Sequence, residues 1–168
     1  KDSLNRKWQL GTIQVDYQLP ERFQLDYITE NNTKQTPVVI HRAPFGSLER
    51  FVALLTEHCY GNFPFWLAPI QITILSISDK FNSYSNKIFK FLSNLNLRVI
   101  KDIRSEKISK KIRDAELKKI PYMIIIGENE LKSNKISLRK HTEGDLGKMT
   151  LDDLISILKK EKNVIINN

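Results

Sequence analysis

Three histidines and one cysteine, His41, His58, His141 and Cys59, are the side chains best suited to ligate a metal or act as a base or nucleophile. No two of them fall at the spacing of a C-x-x-C or H-E-x-x-H motif, so nothing marks a self-contained zinc centre. His58 and Cys59 are adjacent on a helical pattern and cannot face one ligand together. Cys59 reads as a small buried hydrophobe. Ser47 follows Gly46, but neither a G-x-S-x-G elbow nor a phosphate-binding loop surrounds it. Arg50 lies one helical turn beyond Gly46. An arginine there can stack on a base or pair with a phosphate, and an ordinary surface arginine explains it equally well. Arg104, Lys107, Lys110 and Lys111 follow an apolar β-type run and open a helical pattern. At the carboxyl end of a sheet strand such cations can meet a nucleic-acid backbone. Base choice would require polar groups such as Glu130 and Arg139, each of which in isolation reads as a solvated charge.

The elements that must position these groups follow from periodicity. In the first part, residues 10–15 and 37–43 read as strands, 20–21 as a turn or short helix, and 23–29 as an extended stretch ending in a turn at 30–32. Leu48, Val52, Leu55 and Cys59 recur at helical spacing, with Ser47 as N-cap. Residues 61–69, with two prolines, a glycine and three aromatics, form a connector. Beyond it, strands at 70–77, 98–103, 122–127 and 135–140 alternate with helices. The helical stretches show Phe81, Tyr84, Ile88, Phe91 and Leu95 on one face, and Ile108, Ile112 and Ala115 on another. Thr150 to Asp153 resembles a capping box opening a last helix with Leu154, Ile157 and Leu158 inward. This order predicts a small three-layer α/β domain with a largely parallel sheet.

The chain has 168 residues, 40% hydrophobic and 27% charged, a globular balance. Net charge is +8, and the whole excess lies beyond residue 67. That asymmetry favours a polyanionic partner for the second part, although a lysine-rich solvated surface gives the same count. One cysteine excludes an intrachain disulfide and suits a reducing compartment, so a cytoplasmic location is expected. No apolar run reaches membrane-spanning length, and no membrane partner is expected. The start at Lys1 lacks both an initiator methionine and a signal-peptide pattern, so the chain reads as a piece of a longer protein.

Five segments, taken in order, resemble the C-terminal part of bacterial-type threonyl-tRNA synthetases, members of class IIa of the aminoacyl-tRNA synthetases. They are WQLGTIQVDYQLPERF (8–23), PVVIHRAPFGSLERF (37–51), FPFWLAPIQ (63–71), RSEKISKKIRDAELKKIPYMIIIGENE (104–130) and DLGKMTLDDLI (145–155). The resemblance implies an α+β remnant of the antiparallel class II catalytic domain over 1–62. A linker over 63–69 and a class IIa anticodon-binding domain over 70–168 would follow, the latter a mixed, largely parallel sheet flanked by three helices.

Roles follow from the same resemblance. Arg50, in the third class II signature, would contact ATP, with Gln9 and Ser47 nearby, and Gln14 would line the threonine pocket. His41 would be one of three Zn2+ ligands, in a family whose metal binds the threonine amino and hydroxyl groups and so rejects valine. The other two ligands and the first two signatures are not in this chain. It is therefore expected to be inactive alone and to hold neither Zn2+ nor ATP/Mg2+, while the complete ligase is expected to be a homodimer. In the second domain Arg104, Ser105, Glu130 and Arg139 would contact the anticodon of tRNA-Thr, and Lys107, Lys110 and Lys111 its backbone. Ser105 stands where the family usually has Asn, and Ser109 where Gly is common. Two other readings remain: a non-catalytic nucleic-acid-binding module or accessory subunit, and a protein-interaction domain with incidental charge.

Overall fold

The structure, a computed structural model, describes residues 1–163, and its contacts divide the chain into two compact units, Lys1–Tyr60 and a second from Gly61 onward.

The first unit runs β1 (Thr12–Asp16), α1 (Gln18–Arg22), β2 (Tyr27–Ile28), β3 (Lys34–Gln35), β4 (Val39–Ala43) and α2 (Leu48–His58). β1 pairs antiparallel with β4, and β2 with β3. The Asp16 carboxylate accepts from the backbone N–H groups of Gln18 and Leu19, which starts α1 directly after β1. Ser47 caps α2, its Oγ accepting from the Arg50 N–H at 3.1 Å. Among residues 1–60 only Asp2 and Pro20 are buried. The apolar positions that predicted strands and a helix face, Ile13, Val15, Ile40, Leu48 and Val52, are exposed. The pattern was written for a second layer, and two-stranded ribbons cannot supply one.

The second unit contains β5 (Ile72–Ser76), a 3-10 turn (Asp79–Phe81), α3 (Asn82–Asn94), β6 (Val99–Asp102), α4 (Ile108–Leu117), β7 (Tyr122–Ile126), α5 (Glu128–Ser133), β8 (Ile136–Lys140), β9 (Gly144–Met149) and α6 (Leu151–Asn163). Strand order is β6-β5-β7-β8-β9. The first three strands are mutually parallel, and the β7–β8 and β8–β9 pairs are antiparallel. Strand alternation sorts the core into two layers. Ile72, Ile74, Tyr122, Ile124, Ile126, Ile136 and Leu138 pack against Tyr84, Ile88 and Leu92 of α3 and Leu154 and Leu158 of α6. On the opposite face Leu75 and Met123 pack against Ala115 of α4. The continuous apolar run of β7 therefore serves both faces, as a central strand requires.

Three sequence expectations change. In α3 the buried stripe runs through Tyr84, Ser85, Ile88 and Leu92, while Phe91 and Leu95 are exposed. Helix α5 and strand β9 were not anticipated. β9 carries Gly144 and Gly147, both at positive φ, and few β-branched residues, so its composition disguises a paired edge strand. The capping box at Thr150 does form, despite the shorter Asp153. Asp153 Oδ2 accepts from the Thr150 N–H at 3.0 Å, and Thr150 Oγ1 accepts from the Asp153 N–H at 3.2 Å.

Candidate nucleic-acid interface

The carboxyl ends of β5 and β6 are adjacent parallel strand ends, where polar groups of an α/β sheet converge. Arg104, two residues past β6, is clamped. Its Nε donates to Asp102, and its Nη2 donates to Asp102 at 2.6 Å and to Asp114 of α4 at 2.8 Å. The Arg104 guanidinium holds the Asp102 carboxyl below the usual carboxylate range, and Asp102 in turn pushes the guanidinium's own pKa up. This loop therefore closes on itself, and the positive charge of Arg104 is answered by two carboxylates.

Lys111 is a correction. Sequence spacing assigned it to an RNA backbone, but the residue is only 3% exposed. Its Nζ donates to the carbonyls of Ser76 at 2.9 Å and Asp102 at 3.2 Å, tying the ends of β5 and β6 to α4. An ammonium so placed cannot reach a phosphate in solvent. Lys107 and Lys110 do lie exposed. Lys110 pairs with Glu106 at 2.6 Å, and Lys107 has no ion-pair partner among the described residues. Ser105 is exposed between them and Arg104. A recess of about 220 Å³ lies here, with Asp102, Arg104, Lys111 and Asp114 among its lining.

Further along the same sheet face come β8 and β9. Ile136 and Leu138 point into the core, so Ser137 and Arg139 point to the face that α4 shares. Register places Arg139 opposite Met123 on one side and Asp145 on the other, with a bulge between Leu138 and Arg139. Arg139 is half-buried, and its Nε lies buried with no hydrogen-bond partner among the described residues. An unpaired buried donor is costly, so this nitrogen is an exception in the fold.

Glu130 is the second surprise. Rather than a solvated charge it is 6% exposed, and its carboxylate is engaged. Oε2 accepts from the Gly127 N–H at 3.0 Å, closing the first turn of α5. Oε1 accepts from Ser137 Oγ at 2.9 Å and lies 3.3 Å from Lys148 Nζ. These partners draw the Glu130 pKa down against the burial that would raise it. Gly127 permits the approach, because an added Cβ would sit 2.7 Å from Ile77 Cδ1 and 3.0 Å from Glu130 Oε2. Asp102, Asp114, Ser137 and Lys148 escaped the sequence reading. Alternation along β9 would have found Lys148, had that strand been legible.

In the first unit, Gln14 and His41 face each other across β1 and β4, and both are exposed. His41 Nε2 lies 3.3 Å from Asp16, whose carboxyl is held below its usual range first by the Leu19 N–H, then by the Gln18 N–H and His41. Among the described residues no three His, Cys, Asp or Glu side chains group closely enough to hold a metal ion. His41 is thus a single donor, and these residues do not make a Zn2+ site among themselves. The Arg50 guanidinium lies 5.4 Å from the centre of the Trp8 ring. Trp8 in turn donates its indole N–H to Asp2 at 2.9 Å, an anchor that also receives Arg6 Nε at 2.6 Å. Gln9 turns its amide to Thr12 Oγ1. Gln9, Ser47 and Arg50 thus all belong to this first unit, and the structure gives each a local partner.

A cleft of about 640 Å³ has Phe63, Phe65, Trp66, His141 and Glu161 among its lining. It sits where β7 begins and β8 ends, the opposite end of the sheet from Glu130. Among the described residues no helix is long and apolar enough to cross a membrane.

The second unit is an α/β module, a mixed five-stranded sheet with α4 on one face and a partly exposed β8–β9 edge, and antiparallel two-stranded ribbons precede it in the chain. Comparison with known proteins narrows this. Residues 71–161 match the family described as the anticodon binding domain, and residues 1–59 match the tRNA synthetase class II core domain (G, H, P, S and T). Over 167 residues the chain is 53% identical to a threonine–tRNA ligase of Porphyromonas gingivalis, a match that covers 99% of this chain and 26% of that relative. The corresponding enzyme of Cytophaga hutchinsonii is 56% identical over 161 residues, covering 96% of this chain and 25% of the relative. Among solved structures, the RNA binding domain of threonyl-tRNA synthetase from Cryptosporidium parvum superimposes with a TM-score of 0.86 at 41% identity. That match covers 95% of this chain and 41% of the other. The chain belongs to the anticodon-binding domain family, and over nearly its whole length it is similar to threonine–tRNA ligases. It spans about a quarter of the length of the curated relatives it matches.

Proposed function

We propose that this chain is part of a threonine–tRNA ligase and that its own activity is to bind the anticodon loop of tRNA-Thr. The observation that carries the reading is the match of residues 71–161 to the anticodon binding domain, with the half-buried Arg139 on β8 of that domain. Arg139 selects a base, Ser105 and Glu130 contribute further anticodon contacts, and Lys107 and Lys110 add phosphate contacts without sequence choice. Arg104 serves this site by holding the β6–α4 loop closed.

In the complete ligase Arg50, with Gln9 and Ser47, contributes to ATP/Mg2+ binding, Gln14 to threonine and His41 to Zn2+, with the remaining groups drawn from outside this chain. The complete enzyme is cytoplasmic and homodimeric. The 168-residue chain alone does not activate threonine and holds none of these cofactors. Pyrophosphate exchange on the chain is expected to stay at background. Turnover like that of a complete ligase would overturn this part of the reading.

The RNA-binding reading is tested with stem-loops carrying a threonine anticodon or a changed middle base. Arg139→Ala is expected to weaken the cognate loop by about 1–3 kcal/mol, mainly at one base. An equal loss on every loop would remove the base-reading role. Binding blind to sequence would favour an accessory nucleic-acid module.

A further inference from the structure

Helix α3 buries one stripe and shows another. Tyr84, Ser85, Ile88 and Leu92 face the core, while Ser83, Asn86, Lys87, Lys90 and Asn94 stand exposed at the complementary positions. Lys80 is exposed just before the helix. Between Lys80 and Lys101 the sequence holds no Asp or Glu. Lys101, on β6, adds another cation to this side: its Nζ donates to Asn86 Oδ1 and lies 4.7 Å from the centre of the Phe89 ring. Lys80, Lys87, Lys90 and Lys101 have no ion-pair partner among the described residues.

This composition suits a phosphate backbone. Lysines supply charge, Ser and Asn supply neutral donors, and the stripe carries no carboxylate to repel an anion. From Ser83 to Asn94 it runs about 16 Å along the helix, enough to meet several phosphates of a duplex. A lipid surface would need an apolar face to insert, and the apolar face of α3 is packed on the sheet. The position of the stripe also fits. β6 is an edge strand, with Val99 and Lys101 on the α3 side and Ile100 and Asp102 on the α4 side. β5 and β6 are adjacent and parallel, so Lys80 and the Arg104–Lys107 loop leave the sheet at the same end. An RNA whose loop meets that end can lay its stem around the β6 edge and along α3.

We propose that the outer face of α3, with Lys101, is a second RNA-contact surface, which takes the phosphate backbone of the stem that carries the anticodon loop. It adds affinity and no base choice. The proposal rests on the anticodon-loop reading above for its partner, but on residues which that reading does not use.

The test is binding of the full chain to one threonine anticodon loop on a long stem and on a short stem, with salt varied. Lys87→Gln combined with Lys90→Gln removes two exposed charges, and thermal melts establish that the variant is folded. It is expected to bind the long-stem RNA about tenfold more weakly and to lower the salt slope by about two. Its affinity for the short-stem RNA and its preference for the cognate middle base are expected to match the wild type. Lys159→Gln combined with Lys160→Gln, which removes two exposed charges from α6, is expected to leave both RNAs bound as before. Equal losses from the two double variants would reduce the effect to the field of the whole chain and overturn the surface. Equal losses on long and short stems would overturn the stem assignment, and no loss on either would overturn the proposal outright. Loss of binding to anionic-lipid vesicles with RNA binding unchanged would overturn it in favour of a membrane surface. A wild-type chain that prefers no middle base, yet loses the long stem through Lys87 and Lys90, would strike the anticodon-loop reading and keep this surface. No RNA binding at low salt would overturn both.

Discussion

Lys111 and Lys110 are neighbours in sequence and opposites in role. Their types and helical spacing gave both to a phosphate backbone, yet one turns inward to close two strand ends and the other stays in solvent. Replacing Lys111 by Met keeps its volume and leaves the carbonyls of Ser76 and Asp102 unpaired, a loss of about 2–4 kcal/mol in urea unfolding. Any folded Lys111→Met protein should keep its salt dependence of RNA binding, whereas Lys110→Ala should reduce that slope by about one. Asp2 offers a residue-scale test in acid. The Trp8 indole N–H, with Arg6, lowers its pKa to about 2. A depressed carboxyl favours the native arrangement above its ordinary value of about 3.9 and loses that contribution as pH falls through the folded value. Trp8 fluorescence, read in a Trp66→Phe background, is therefore expected to hold steady down to about pH 4 and to change between there and pH 2. Asp2→Asn should abolish that acid transition.

Among the elements, α6 was the most legible. Its Thr150-to-Asp153 box and its Leu154 and Leu158 stripe appear in the structure as they read in the sequence. Thr150→Ala is expected to cost about 1 kcal/mol, seen as a lower unfolding midpoint with an unchanged denaturant slope. β9 was the least legible, since Gly144 and Gly147 break its alternation. The bulge falls in β9 itself, where Leu146 is the extra residue between the partners of Leu138 and Arg139, a feature decided by pairing, not by local preference. In α3 the choice between Phe91 and Leu92 for the core depended on where the helix sat on the sheet. A 3.6-residue period cannot distinguish adjacent apolar residues at the edge of its stripe.

At the scale of the whole molecule the two units differ in how much they bury. β5 is buried along its entire length and β7 almost so, while β1 and β4 hold no fully buried residue. Hydrogen exchange should therefore divide the chain, with the slowest amides in β5 and β7 and fast exchange in β1, β4 and α2. Slow exchange throughout residues 12–58 would contradict this. The charge asymmetry belongs to the same scale. It marked the second unit for a polyanion, but net charge could not separate free cations from those spent on Asp102, Asp114, Glu106 and Glu130.

The alternation of strands and helices, the caps at Ser47 and Thr150 and the run of family motifs were readable in the residues, because each depends on short-range spacing. Only the fold decided that Lys111 would be buried, that Glu130 would close a helix turn, that Arg104 would be clamped and that Lys148 would stand beside Glu130. Those outcomes join β5 to β6, α4 to the sheet, and β9 to α5, positions far apart in the chain. Their energies come from desolvation and partner geometry that no local pattern encodes.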